Sequence, residues 1–174
     1  MKPGRLKPLD DRKIVERVLK GDTEAFNLLV RQWEKPIYSF IVRMIGDRDE
    51  AMDLCQEAFM KAYRELGTLK DLDRFSSWLY RIAHNTCFSK LRKDQGKTFV
   101  ELEPESHGSR TPIDSRLAVE KALQHLPDDQ REVVVLKVFQ SLKFEEIAAI
   151  QGAPVSTVKS RLYMGFEKLR SILS

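Results

Sequence analysis

Apolar residues in this chain recur at intervals of three and four rather than two, and alternating β-branched runs are absent. Side chains three and four apart share one face of a helix, whereas a half-buried strand needs strict alternation, so the spacing predicts an all-α fold. Helices are expected at about 10–20, 23–45, 48–66 and 75–94, and again at 114–125, 128–139, 143–150 and 154–172. The breaks between them fall at Gly21-Asp22, Gly46-Asp47, the polar stretch Gly67 to Arg74, Leu126-Pro127, Gln140-Ser141 and Gln151 to Ala153, with the Gly67–Arg74 stretch read as a true loop. Within 174 residues this leaves room for two small helical domains.

The helical period lapses from Gly96 to Pro112, where KTFVELEPESHGSRTP gathers two prolines, a glycine, serines and acids, as in an exposed, flexible linker. The expected division is therefore a first domain over 1–95, a linker over 96–113 and a second domain over 114–174. Before Asp10 the tail carrying Lys2, Arg5 and Lys7 is expected to be disordered. The net charge of +4 identifies no partner alone, but the charges are unevenly placed. Arg81, Lys90, Arg92, Lys93 and Lys97 face only Asp94 in one block, Lys159, Arg161, Lys168 and Arg170 face only Glu167 in another, and Glu101, Glu103 and Glu105 lie between. The longest aliphatic run is Val133 to Leu136, so neither a signal peptide nor a membrane span is expected and the chain is read as cytoplasmic. Cys55 and Cys87 fall within helical patterns without metal-ligand spacing and are read as free, packed thiols.

Phe144 to Arg170, FEEIAAIQGAPVSTVKSRLYMGFEKLR, reads as a short helix, a turn at Gly152 and a second helix that Pro154 opens: a helix-turn-helix. Val158, Leu162, Gly165 and Leu169 make its buried seam, faced by Ile147 and Ala148. Outward near the start of the second helix stand Ser156, Thr157, Lys159, Ser160, Arg161 and Tyr163, hydroxyls, cations and an aromatic that suit the donors, acceptors and thymine methyls of a DNA major groove. Lys159 and Ser160 are the first candidates for reading bases, and Arg161, Lys168 and Arg170 for neutralising phosphates. A helical hairpin with a solvated basic face is the bland alternative.

This segment resembles region four of bacterial sigma factors of the sigma-70 family, in particular the short extracytoplasmic-function (ECF) group. Two departures from the family pattern stand out. Lys143 occupies the usual serine cap before Phe144-Glu145-Glu146, so only Glu146 can supply a capping interaction. Tyr163-Met164-Gly165-Phe166 stands where the family often has an aromatic or histidine followed by Arg-Ala-Arg, which implies weaker or differently specified binding to the upstream promoter element.

In the first half, Asp53, Gln56 and Glu57 sit at i, i+3 and i+4 of one predicted helix and form a compact acceptor patch for arginines of a partner, or else an ordinary solvated face with Glu57 pairing Lys61. Asp53-Leu54-Cys55-Gln56-Glu57-Ala58-Phe59 is similar to the sigma segment that docks on core RNA polymerase, and by that resemblance Asp53, Gln56, Glu57 and Phe59 contact the polymerase. From Gly67 to Lys93, Phe75, Trp78 and Tyr80 interleave with Arg74, Arg81, Lys90, Arg92 and Lys93, a pattern suited to unstacked bases beside a phosphate track. Core packing is favoured for Trp78 and Ile82.

In the sigma family this stretch melts the downstream promoter element. The resemblance implies a pocket over Leu69 to Ser76 for a flipped non-template base, with Arg74, Phe75 and Ser76, and a helix surface of Arg81, Asn85, Phe88, Lys90 and Arg92. It also implies core RNA polymerase, duplex and melted promoter DNA and an anti-sigma factor as partners, with the acidic connector threaded through the polymerase. The anti-sigma factor would hold the chain at the inner membrane face. No cofactor, metal or small-molecule substrate is implied.

Two other functions remain open on the residues alone. An ordinary helix-turn-helix regulator would bind duplex DNA by itself as a dimer, and the aromatic-basic block after Gly67 argues against it. A metal-dependent helical enzyme would use Glu50, Asp53 and Glu57, but no second acidic cluster faces them and His84, His107 and His125 are scattered.

Overall fold

A computed structural model describes residues 9–95 and 111–174. The linker's acidic run, Glu101, Glu103 and Glu105, and the tail with Lys2, Arg5 and Lys7 lie outside the described residues, as does Lys97.

Eight α-helices carry the described residues, which contain no strand: α1 (Asp11–Leu19), α2 (Phe26–Ile45), α3 (Arg48–Glu65), α4 (Phe75–Lys93), α5 (Pro112–Leu123), α6 (Asp128–Val134), α7 (Phe144–Gln151) and α8 (Val155–Leu173). Local chemistry sets most boundaries. The Asp10 and Asp47 carboxylates accept from the backbone N–H groups of Arg12 and Glu50 at 3.1 and 3.0 Å, capping α1 and α3. Gly46, at φ +80°, ends α2 in a left-handed conformation that L side chains resist. The last turn of α4 carries Lys90, Arg92 and Lys93, which complement the negative end of its dipole.

Four expectations need correction. The Gly67–Arg74 break contains two 3₁₀ turns, Leu66–Thr68 and Leu72–Arg74, because Leu69 is buried and Asp71 accepts from the Asp73 N–H. Helix α5 begins at Pro112 rather than 114: the Thr111 hydroxyl accepts from Asp114 N–H at 3.2 Å while Asp114 accepts from Thr111 N–H at 2.9 Å, a full capping box with proline at the first helical position. Helix α6 widens into a π segment over Val135–Phe139 before the turn at Ser141. At α7 the expected half-cap is present, since Glu146 accepts from the Lys143 N–H at 2.9 Å and the Lys143 ammonium has no lone pair to offer. Pro154 stands one residue before α8 instead of inside it.

The first four helices form one bundle with Ile37, Phe40, Ile41, Met44 and Leu79 fully enclosed; α5 to α8 form a second around Leu123, Leu136, Ile147 and Ile150. The two bundles are packed on each other, α4 against α7 and α2 against the end of α6, so the buried residues make one contiguous cluster. Each fully buried side chain of this size contributes about 1.5–3 kcal/mol, and both halves draw on the shared seam.

Cys55 and Cys87 are free and buried. Burial pushes the Cys55 thiol up from 9.0 to about 11, with Glu34 adding to the effect, and desolvation raises Cys87 further. Both thiols keep their proton longer in the folded chain, so this contribution is complete below the unfolded value of 9.0 and is lost as pH rises toward 11. The unfolding free energy from urea titrations should fall between pH 8 and pH 10.5, by up to about 1.4 kcal/mol per pH unit and thiol. A Cys55→Ala/Cys87→Ala variant should show a flatter profile; an equally steep one would assign the loss to other groups.

Candidate functional site

Three surfaces carry the candidate residues. On α3, Asp53, Gln56 and Glu57 are exposed on one face, as their spacing predicts. Phe59 is only 7% exposed, because its ring faces α2 and floors an apolar groove of about 580 Å³ between α2 and α3. Val30 and Tyr38 line one wall and Met52 and Met60 the other, the two methionines 55% and 60% exposed. Sequence reasoning missed these methionines. Their signal was the eight-residue interval that places them on either side of Gln56, and flexible, polarizable thioethers suit a surface that must conform to a partner. An acceptor patch thus borders an unfilled apolar groove.

On α4 and the segment before it, Arg74 is exposed and pairs with Asp71 at 3.4 Å, while Arg12 of α1 braces the same segment through Asp73 at 2.9 Å. Phe75 is not available for stacking on a base. It is 1% exposed, edge-on to Trp33 and beside Trp78, because α4 turns its first apolar residue into the bundle. Ser76 is half-buried, whereas Asn85 and Arg92 are exposed. The Phe88 ring, half-buried, lies 4.4 Å from the His84 ring. Lys90 reaches Glu50 at 3.2 Å and Asp94 at 3.4 Å, and its hydrogen bond to Glu50 raises its pKa. Ile82 is buried and Trp78 partly so, in keeping with core packing.

Arg81 has an unexpected partner. Its guanidinium donates to the carbonyl oxygens of Ala149 and Ile150, at the C-terminal end of α7 in the other bundle, where carbonyls lack helical donors. The contact belongs to a polar seam along the whole junction. The Tyr80 hydroxyl donates to Gln140 at 2.7 Å; Gln140 in turn donates to Ser39; Gln124 donates to the Arg43 carbonyl at 2.7 Å. Arg43 pairs with Glu120 at 2.9 Å and stacks on Phe139, its guanidinium carbon 4.1 Å from the ring centre. Glu132 of α6, wholly buried, holds His84 of α4 at 2.6 Å and accepts from Gln151 at 2.8 Å.

The α7–turn–α8 unit has the expected form. Gly152, at φ +63°, follows α7, and Val158 and Gly165 are buried while Leu162 and Leu169 pack alongside. Ser156, Lys159, Ser160 and Tyr163 are exposed and Thr157 is half-buried. Arg161 turns inward instead, paired with Asp129 at 3.0 Å and donating to Gln151 at 2.9 Å, so its charge is engaged with α6 and α7. Lys137 and Lys159 converge on the Phe144 ring, 4.3 and 5.4 Å from its centre.

Among the described residues no group of three or more histidine, cysteine, aspartate or glutamate side chains is placed to hold a metal ion, and Glu50 is turned to Lys90. None of the described helices is long and apolar enough to cross a membrane.

Comparison with known proteins matches residues 29–97 to sigma-70 region 2 and residues 116–169 to sigma-70 region 4. The chain is 37% identical to the RNA polymerase sigma-H factor of Pseudomonas aeruginosa, covering 94% of this chain and 93% of the relative. It is 36% identical to the ECF RNA polymerase sigma-E factor of Escherichia coli K12, over 92% and 93%. Among solved structures, CnrH in complex with the cytosolic domain of CnrY superposes with a TM-score of 0.72 at 26% identity, covering 94% of this chain and 96% of that one. The sigma factor RpoE bound to the anti-sigma factor NepR from Bartonella quintana gives 0.69 at 28%, covering 85% and 96%. Both halves match in the same order and with the same helical architecture across nearly the whole length, and the chain belongs to the sigma-70 family as an ECF-type sigma factor.

Proposed function

We propose that this sigma factor docks on core RNA polymerase through the α3 face and directs it to promoters by two DNA-reading surfaces. The observation that carries the reading is the α3 face itself: Asp53, Gln56 and Glu57 exposed together beside a groove flanked by Met52 and Met60. Such a face supplies acceptors for partner arginines and an apolar slot for an inserted side chain. The division of labour assigns 1–95 to polymerase docking and promoter melting, 96–113 to a connector and 114–174 to the upstream element. The chain acts as a recognition subunit and catalyses no reaction of its own.

For the downstream element, Arg74 and Ser76 border the base-holding segment, and Arg81, Asn85, Phe88, Lys90 and Arg92 form the surface along the melted strand. Phe75 supports this segment from beneath. For the upstream element, Ser156, Thr157, Lys159, Ser160 and Tyr163 enter the major groove, with Lys159 and Ser160 reading bases and Arg161 fixing the angle of α8. The Bartonella quintana relative bound to an anti-sigma factor supports a similar partner here, which would act in the cytoplasm or at the inner face of the membrane.

Co-purification with bacterial core RNA polymerase tests the reading. The wild-type chain should bind stoichiometrically, and an Asp53→Ala/Gln56→Ala/Glu57→Ala variant, whose changes lie on an exposed face, should remain folded and lose most of the binding. Absence of binding by the folded wild type would favour a free-standing DNA regulator.

A further inference from the structure

A second cavity lies apart from the three surfaces described above. It is a cleft of about 860 Å³ between the C-terminal half of α2, the start of α3 and α5. We propose that this cleft binds a small organic polyphosphate of the nucleoside di- or triphosphate class, its phosphates held by Arg48, Arg116 and Lys121 and its base seated on Ile113 and Leu117.

Three observations carry the assignment. First, cations gather in the cleft without matching acids. Arg43, Arg48, Arg116 and Lys121 line it, and Glu120 is the one carboxylate among its lining residues. Glu120 is committed to Arg43 at 2.9 Å, and neither Arg48 nor Arg116 makes an ion pair among the described residues. Like charges converging on one concavity repel each other, and a single multivalent anion relieves them together. Helix stability does not account for Arg48. It is the first residue of α3, where a cation opposes the positive end of the helix dipole.

Second, the wall holds an unspent donor. Arg43, its side chain only 11% exposed, gives Nη1 to Ser39 and Nη2 to Glu120 and is fixed on the Phe139 ring, while its Nε has no acceptor. A buried N–H without an acceptor is uncommon in a folded chain, and an anionic oxygen is the acceptor that a wall of this charge draws in. Third, the cleft has an apolar half. Ile113 and Leu117 stand one turn apart on α5, 79% and 52% exposed, with Val42 and Tyr38 also lining the cavity. A planar base would cover them while the phosphates meet the cations. The volume suits a mononucleotide, whereas a duplex carries its phosphates along a wide convex cylinder that cannot enter such a cleft.

Calorimetric titration of the intact chain with ATP and with GTP, in 0.15 M salt and without magnesium, tests the proposal. The variant is Arg48→Ala/Arg116→Ala, and the control is Arg31→Ala/Arg64→Ala, which removes equal charge from exposed positions outside the cleft. All four arginines are exposed, so both variants should unfold at the wild-type temperature without ligand. The expected result is one equivalent of at least one nucleotide bound by wild type and control, affinity lowered about tenfold or more in the cleft variant, and inorganic triphosphate bound more weakly than the nucleotide. Absence of binding by wild type overturns the site. Equal weakening in the control overturns it too, by assigning the binding to net charge. Equal affinity for inorganic triphosphate removes the base and with it the nucleotide assignment. Displacement of the nucleotide by a random-sequence DNA duplex would give Arg48 and Arg116 to the DNA backbone and overturn the proposal as well.

Discussion

Replacing Glu132 with alanine is expected to cost the fold about 3 kcal/mol, because the change removes two charge-assisted hydrogen bonds from a site closed to water. The carboxylate is 0% exposed and is held by His84 from α4 and Gln151 from α7, so the loss falls where three helices and both bundles meet. A cavity the size of the deleted carboxyl adds to it. For a chain of this length the midpoint of thermal unfolding should drop by about 6–12 °C. Glu132→Gln keeps the shape and an acceptor for His84 while turning an amide N–H₂ toward Gln151, and should lose roughly half as much. Calorimetry supplies the decisive comparison. If the bundles share one core in solution, wild type unfolds in a single transition that shifts as a whole in the variant. Two transitions, with only the later half of the chain affected, would show that the junction does not persist in the free protein.

What was legible in the sequence follows from how far each signal reaches along the chain. Helix positions and caps are local: Asp10, Asp47, Gly46 and Gly152 sit where their backbone chemistry is needed, and the outward set on α8 follows from spacing alone. Even the misplaced start of α5 was readable, since Thr111-Pro112-Ile113-Asp114 is a capping-box sequence. The π segment over Val135–Phe139 was not, because its aliphatic run satisfies several helical periods equally. Phe75 shows a second limit. An aromatic among cations has the composition of a nucleic-acid surface, and only the positions of Trp33 and Trp78 place it inside. The junction itself was invisible because Arg81, His84, Glu132 and Gln140 are polar residues that spacing alone assigns to solvated faces. Their partners lie 48 to 69 positions away, beyond any helical period. Sequence therefore placed the candidate surfaces and left unseen the polar junction that ties α4 to α7.

Gly165→Leu is expected to be comparably damaging, through α8. A Cβ at Gly165 would stand 2.9 Å from Val134 Cγ2 and 3.6 Å from the Gln130 carbonyl, so α8 approaches α6 as closely as a glycine permits. Alanine requires a shift of a few tenths of an ångström against a stiff, buried valine, but gains about 1 kcal/mol of helix propensity, and the two effects nearly cancel. Leucine adds three further carbons with no space to receive them and should destabilise by about 3 kcal/mol as α8 is forced away. The strain also reaches the proposed DNA-reading face: Lys159 and Ser160 lie on the same rigid helix, so a tilt moves both out of register and should weaken upstream-duplex binding beyond the loss of folded protein. Removing the opposing methyls with Val134→Ala distinguishes a specific clash from general damage. Val134→Ala destabilises alone but should recover part of the Gly165→Leu loss, giving a coupling of about 1 kcal/mol or more in a double-mutant cycle. Simple additivity of the two changes would mean that the closeness of α6 and α8 does not require a glycine.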